Sequence, residues 1–364
     1  MIRVYIICVM VLVIITVTLS CRERTPSTNN ANVSEIQTAN TAQAKLERLR
    51  ETVRRNGYSF EVGDTGLLTT PLQNLTGGKK MEYSADVQKR LEEKAMQLDQ
   101  QGLIPSSKKF RVEQEPSPQR NVERMTQDLQ PPFDWNQHAN DPVFDWRAHR
   151  PITPAKNQGG CGACWAFAAV SLTEAFHSVF YKTAVDISEQ DMLNCTSSGG
   201  CGGAILYAAL ETMDNEQQGA AMESSVGYVG SKQACTVIPK RCFVLNFHGF
   251  VDPNWGIPER ARMKQYIYQW GGVGTYIIAT DAMVAYKGGV YDEFATSGDD
   301  HFVIVIGWDD NKPHRGGKGA WLIKNSWGAG WGENGFGWVA YDANEIGFNA
   351  QMVSAAKSFG SGCK

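Results

Sequence analysis

Hydrophobic positions change their spacing several times along this chain. Residues 4–19, inside "MIRVYIICVMVLVIITVTLSC", form one uncharged apolar run behind Arg3. The run is shorter than the roughly 20 residues a spanning helix needs, and its flanks fit an export signal over 1–21. "TPSTNNANVS", residues 25–34, is polar and reads as an unstructured tether. From 35 to 55, Ile36, Leu46, Leu49 and Val53 recur among charges at helical spacing, and Asn56-Gly57 is a helix stop. "GYSFEVG", residues 57–63, alternates like a short strand. Ser84 is placed to cap a second helix through Gln101, with Gly102 as its stop. The stretch that follows, "PSSKKFRVEQEPSPQRNVERMTQDLQPPFDW", is charged, carries prolines and has few apolar residues, as an exposed, protease-sensitive linker does.

After Pro132 aromatics, glycines and cysteines become dense, and the main domain is expected over 133–364, the size of one two-lobed unit. "CWAFAAVSLTEAF" opens a long helical pattern over 164–181. Later come strand-like runs: "GTYIIAT" (274–280), "HFVIVIGW" (301–308), "AWLIKN" (320–325) and "FGWVAY" (336–341), joined by glycine-rich turns. Helices first and strands later predict an α+β fold with segregated layers.

Composition narrows the function. The chain has 364 residues, 42% hydrophobic and 20% charged, with a net charge of -3. No domain is strongly basic, which argues against nucleic acid as a partner. An exported chain leaves the reducing cytosol, so its cysteines are free to pair. There are nine; Cys8 leaves with the signal and Cys21 ends it. The remaining number is odd, so at least one thiol stays free and is a candidate reactive group.

Two of those cysteines sit three apart in "NQGGCGACWAF" (157–167). The spacing suits zinc, dithiol redox chemistry, or one structural and one nucleophilic thiol. Zinc lacks a second close pair, since Cys195 and Cys201 in "NCTSSGGC" are loosely spaced. Thioredoxin-like chemistry lacks a preceding βαβ unit. The third reading fits better: Cys164 opens the helix, where the backbone N–H groups favour a thiolate, and Cys161 lies in the glycine-rich lead-in. No metal and no cofactor are expected. A nucleophilic thiol needs a base, an orienting group and oxyanion donors. His301 starts a strand that would fix its ring. Asn325 ends another, placed to accept from the imidazole, with Trp327 placed to shield that bond from water.

"NQGGCGACWAF", "DDHFVIVIGW" and "LIKNSWGAGWGENGF" closely resemble the three active-site signatures of the papain-like cysteine peptidases. The family pattern is C-G-[SA]-C-[WY], with His and Asn about 130–150 residues downstream; His301 falls inside that spacing and Asn325 slightly beyond it. The resemblance covers about 140–350. It implies a two-lobed fold, with a helical lobe carrying the nucleophile helix and an antiparallel, barrel-like β lobe. It implies a cysteine endopeptidase with Cys164 as nucleophile, His301 as base and Asn325 orienting it. Gln158 and the Cys164 backbone N–H would hold the oxyanion. Gly202, Gly203, Asp300, Phe302 and Trp327 are expected to face substrate.

The same resemblance implies a Cys161–Cys201 disulfide and one from Cys195 to Cys235 or Cys242, of which Cys235 fits better; the cysteine left over and Cys363 stay open. Some positions depart from the family pattern. The loop "CGGA" is one residue short, Phe302 is bulky where Ala or Gly is usual, and the pocket floor near 346–348 does not match. "TLSC" is similar to the lipobox of bacterial lipoproteins, which implies lipidation of Cys21 and membrane anchoring; simple cleavage nearby is the alternative. The expected arrangement is a signal peptide over 1–21, a tether and pro-segment over 22–132, and the peptidase over 133–364. The expected molecule is an exported monomer acting on proteins or peptides. A thiol-dependent transpeptidase and a catalytically idle surface-binding lipoprotein on the same fold are the alternatives.

Overall fold

The computed structural model of the chain describes residues 28–80, 93, 138–214, 219–236, 243–252 and 256–358. The signal, Cys21, the helix expected from Ser84, the linker, Cys242 and Cys363 lie outside them. The chain divides into two compact units, residues 1–48 and 49–364. Residues 28–48 of the first are helical, part of helix α1 (Thr28–Asn56). Everything below concerns the second unit. It holds 49–80 together with the domain expected from 133 onward, so composition and packing divide the chain at different places. Helix α1 ends where Asn56-Gly57 predicts. Gly57 takes the left-handed φ of 64°, and the N–H groups of Gly57 and Tyr58 donate to Arg54 and Val53 carbonyls, satisfying the last turn.

Strand β1 (Phe60–Val62) and the turn α2 (Leu72–Leu75) follow, then β2 (Val143–Asp145). The central helix α3 (Cys164–Tyr181) runs as its sequence predicts. It is apolar nearly all round and buried from Cys164 to Val179 except at Ser171, the pattern of a helix enclosed on all sides. Two shorter helices, α4 (Glu189–Cys195) and α5 (Leu206–Asp214), complete the helical half. Ser188 caps α4 by accepting from the Asp191 N–H.

The strand-rich half is built from β3 (Phe243–Phe250), β4 (Val273–Ala279), β5 (Tyr286–Tyr291), β6 (Asp299–His314), β7 (Gly317–Lys324), β8 (Phe336–Ala340) and β9 (Gln351–Ser358). Helices α6 (Arg260–Trp270) and α7 (Asp281–Val284) lie between them in sequence. The sheet order is β1-β5-β8-β7-β6-β4-β9-β3, with β2 against β6. Every pair is antiparallel except β5 and β8. The antiparallel, barrel-like lobe expected is thus present with one parallel pair within it. The β6–β7 hairpin comes between β5 and β8 in sequence, and β8 then returns along β5 in the same direction. The first half of β6 is buried on both faces, which is why "HFVIVIGW" reads as a continuous apolar run rather than an alternation.

Disulfides join Cys161 to Cys201 and Cys195 to Cys235, and Cys164 is a buried free thiol. Among the described residues, no helix is long and apolar enough to cross a membrane.

Candidate active site

The lead-in to α3 is held by its own polar groups. The Asn157 side chain accepts from the Gly159 N–H at 2.9 Å, and Gly159 takes φ 60°. Gln158 is fully buried. Its backbone N–H donates to the Ser326 carbonyl (2.8 Å), its Oε1 accepts from the Ser326 hydroxyl (2.6 Å), and its Nε2 donates to the Cys161 carbonyl (2.9 Å). The Cys161–Cys201 bridge and a bond from the Gly162 N–H to the Cys201 carbonyl fix the next turn. Cys164 is the first residue of α3 and fully buried.

His301 stands on β6 opposite Ile277 of β4. Asn325 follows the end of β7. Asn325 Oδ1 accepts from the Ser326 N–H (2.7 Å) and lies 2.8 Å from His301 Nε2. An oxygen at that position requires Nε2 to carry the proton, so Nδ1 keeps its lone pair. That Nδ1 is buried and takes no hydrogen bond, leaving it able to accept a thiol proton. Trp327 stacks on the imidazole with ring centres 4.6 Å apart, as expected of a shield.

The electrostatics differ from the sequence expectation. Helix position argues for a lowered thiol pKa, but burial pushes Cys164 up to about 12, outweighing hydrogen bonding from the Phe302 and Trp165 backbone. Burial likewise lowers His301 to about 4, against the Asn325 hydrogen bond that favours its charged form. This arrangement therefore favours a neutral thiol and a neutral imidazole.

Residues 75–80 run through the same place. The Trp327 Nε1 donates to the Leu75 carbonyl (2.7 Å), and the Gly77 and Gly78 N–H groups both donate to the Asp300 carbonyl (3.1 and 2.8 Å). Ala204 N–H donates to the Gly77 carbonyl (3.0 Å), and Lys79 N–H to the Ala204 carbonyl (3.1 Å), so Gly78 and Ala204 pair in parallel. A Cβ at Gly77 would stand 2.2 Å from the Gly162 carbonyl oxygen, and one at Gly78 3.0 Å from the His301 nitrogen. The Gly-Gly pair is what lets a backbone pass this close. Sequence reasoning expects a pro-segment within 22–132 but does not single out these residues, because their contacts are made largely by backbone and leave no side-chain pattern.

Most expected site residues come together here: Cys164, His301, Asn325, Gln158, Asp300 and Trp327. Phe302 is buried against Tyr276, with ring centres 6.2 Å apart. The chain's own cleft segment does not use the two glycines as donors. Gly203 donates its N–H inside its own loop, to the Gly200 carbonyl, and Gly202 makes none of these ladder bonds. The ladder to the cleft segment is shifted one residue, to Ala204, in keeping with the shortened loop. Gly203 instead gives room: at φ 95°, its Cβ would lie 2.4 Å from the Gly77 oxygen.

A family model described as papain family cysteine protease matches residues 141–356. The chain is 32% identical over 219 residues to the viral cathepsin of Orgyia pseudotsugata multicapsid polyhedrosis virus, covering 59% of this chain and 64% of the relative. It is 34% identical over 209 residues to the viral cathepsin of Heliothis zea nuclear polyhedrosis virus, covering 56% and 53%. The chain thus spans less than two thirds of the length of either relative. These viral relatives give no support to a bacterial lipoprotein reading. Among solved structures, the digestive procathepsin L2 proteinase from Tenebrio molitor larval midgut matches with a TM-score of 0.65 at 22% identity, covering 93% of this chain and 97% of that one, a likeness of fold. Bromelain from Ananas comosus in complex with the E64 inhibitor matches with a TM-score of 0.52 at 27% identity, covering 58% and 98%.

Proposed function

The chain belongs to the papain family of cysteine proteases, and from that premise we propose that it is a cysteine endopeptidase kept closed by its own residues 49–80. In the open enzyme His301 Nδ1 takes the Cys164 proton, and the thiolate attacks a peptide carbonyl. The oxyanion lies between the Cys164 N–H and the second hydrogen of Gln158 Nε2. The imidazolium protonates the leaving amine, and His301 then activates water to hydrolyse the thioester. Asn325 keeps Nε2–H engaged throughout. The observation that carries this reading is the His301 ring, fixed through Nε2 by Asn325 with a buried, unpartnered Nδ1.

The cleft segment supports the closed state. Its Gly77 carbonyl is bound by Ala204, while Gln158 Nε2 donates to the Cys161 carbonyl. The Gly77 carbonyl is therefore not offered to the oxyanion position. On this reading, 22–132 is a pro-segment, and cutting in the linker releases the domain from 133 onward. The substrates are proteins or peptides, and the enzyme acts as a monomer. Two disulfides fit export to an oxidising compartment. Lipidation of Cys21 is the finer version of that localisation, read from an N-terminal fragment heavier by a diacylglycerol.

The test uses the full chain after maturation. Peptide substrates should be cut, E64 should label one cysteine, and Cys164→Ala should lose both. Full turnover in Cys164→Ala would sink the proposal. Products carrying an added amine in place of a free carboxylate would assign a transpeptidase instead.

A further inference from the structure

A tyrosine from a separate loop completes the bonding of the turn that carries Gln158. Gln158 is fully buried, and its N–H, its Oε1 and one Nε2 hydrogen are engaged by Ser326 and the Cys161 carbonyl. Its main-chain carbonyl accepts from the Tyr228 hydroxyl at 2.8 Å. A buried carbonyl needs a partner, and this one fixes the plane of the 158–159 peptide. The second Nε2 hydrogen is then the polar group of Gln158 left for an oxyanion.

The same side chain touches the nucleophile helix. The Tyr228 ring meets Phe167 edge-on, with ring centres 4.9 Å apart and planes at 86°. Phe167 stands three residues after Cys164 on α3. Tyr228 therefore spans the helix of the thiol and the turn of the oxyanion donor. Those two parts must keep their spacing while a tetrahedral carbon forms between them. Burial, and then the Glu189 carboxylate, push the Tyr228 pKa upward, so the hydroxyl keeps its proton and donates.

The loop that carries Tyr228 is moored to α4 on both sides. The Tyr228 N–H donates to Glu223 Oε1 (2.8 Å). Before it, the Val226 carbonyl accepts from the Ser188 hydroxyl (2.5 Å); after it, the Val229 N–H donates to Gln190 Oε1 (2.9 Å). Ser188 caps α4, and Gln190 is buried within that helix. The disulfide from Cys195, the last residue of α4, to Cys235 anchors the far end of the loop. The phenol is thus presented from a fixed support.

We propose that Tyr228 is a positioning residue for the oxyanion donor: its hydroxyl holds the Gln158 peptide so that the second Nε2 hydrogen stays aimed beside the Cys164 N–H. The proposal rests on the endopeptidase reading above.

The test compares variants of the matured enzyme. Tyr228→Phe keeps the ring against Phe167 and removes only the hydroxyl, so the variant should fold with a Tm close to native. A whole oxyanion donor is worth about 10²–10³ in kcat, and loosening one of its ties should cost about tenfold in kcat with little change in KM. Two readouts separate positioning from a structural role. Iodoacetamide alkylation of Cys164 forms no oxyanion, so its rate should stay within about twofold of native. In a Gln158→Ala background the hydroxyl has no donor to aim, so adding Tyr228→Phe should cost less than about twofold in kcat.

A native kcat in Tyr228→Phe overturns the proposal. So does the full loss repeated on top of Gln158→Ala, or an equal loss in alkylation and turnover. In each case Cys164-dependent turnover of the native enzyme leaves the endopeptidase reading standing. Hydrogen exchange over residues 157–163 of the full chain needs no turnover. Tyr228→Phe should speed it several-fold, and unchanged exchange overturns the tie. Faster exchange in a chain that cuts no peptide supports the tie and sinks the endopeptidase reading.

Discussion

Gly77→Ala should convert the thiol from inert to reactive. The added Cβ would stand 2.2 Å from the Gly162 oxygen and 2.6 Å from its carbonyl carbon, and Gly77 has φ 128°. Both obstacles are backbone, so neither yields cheaply, and the segment must lift from Gly162 and Asp300. Cys164 then regains water. At pH 7 a thiol with a pKa of about 12 is roughly 0.001% thiolate, and one at the ordinary 9.0 is about 1%. The thiolate population thus rises about a thousandfold on opening. A less basic thiolate is also a weaker nucleophile, which takes back somewhat under half of the exponent and leaves roughly 30- to 60-fold. Steric access adds to this factor.

The assay is iodoacetamide alkylation of the full chain across pH, read by mass on the peptide that contains Cys164. The rate at pH 7 should rise at least 30-fold, and its pH profile should level off well below that of the native chain. Gly78→Ala, whose Cβ meets Asp300 and His301 backbone at 3.0 Å, should give a smaller rise. A native rate and native profile in Gly77→Ala would refute the reasoning, because residues other than the cleft segment would then be burying the thiol.

Acid should open the closed chain. His301 is lowered to about 4 from 6.5, so the closed form binds fewer protons than the open one between those values and loses stability as pH falls through that window. From pH 7 to pH 5 the loss is about 2 kcal/mol, or roughly 20-fold in opening; hydrogen exchange of residues 75–80 in Cys164→Ala reads it, and no change with pH would contradict it. Gln158→Ala in the matured enzyme should cost about 10²–10³ in kcat with little change in KM, measured in steady state. Asn325→Ala should cost about 10²-fold in kcat/KM by loosening the His301 ring, while still permitting alkylation of Cys164. Glu174 is fully buried and receives Thr153, Lys156 and the Ile187 N–H, with Lys324 at 3.7 Å. Among the described residues, Glu174→Ala removes the only carboxylate within ion-pair distance of buried Lys324, which keeps just the Thr153 hydroxyl, while Lys156 retains Asp186 and Glu189; it should destabilise the chain by about 3 kcal/mol, seen as a lowered Tm.

What the sequence made legible follows from which atoms do the work. Helix α3 announces itself because its side chains are apolar and its glycine-rich lead-in is distinctive. His301 and Asn325 stand out because a titratable ring and an amide begin or follow buried strands, where a side chain is held rather than free. Strands β3 and β9 were not anticipated. "FVLNFHGF" and "QMVSAAKS" owe their conformation to pairing with each other, and neither run is both long and regularly patterned. The parallel β5–β8 pair depends on where β8 returns after an intervening hairpin, which no local pattern encodes.

The cleft segment was silent for a different reason. Gly77 and Gly78 act through N–H and C=O groups that every residue possesses, and their fitness for the place lies in the side chains they lack. Tyr228 and Gln158 meet across 70 residues of sequence, so the tyrosine alone reads as an ordinary loop aromatic. The thiol shows why this matters for function. A helix N-terminus argues for a reactive Cys164, and the local sequence contains nothing that opposes it. Burial reverses that argument, and in this fold a glycine pair almost ninety residues upstream, too bare to leave a pattern, lies where it can bury it. The reactive groups can therefore be identified from local sequence, but whether they are switched on depends on backbone contacts that only the fold assembles.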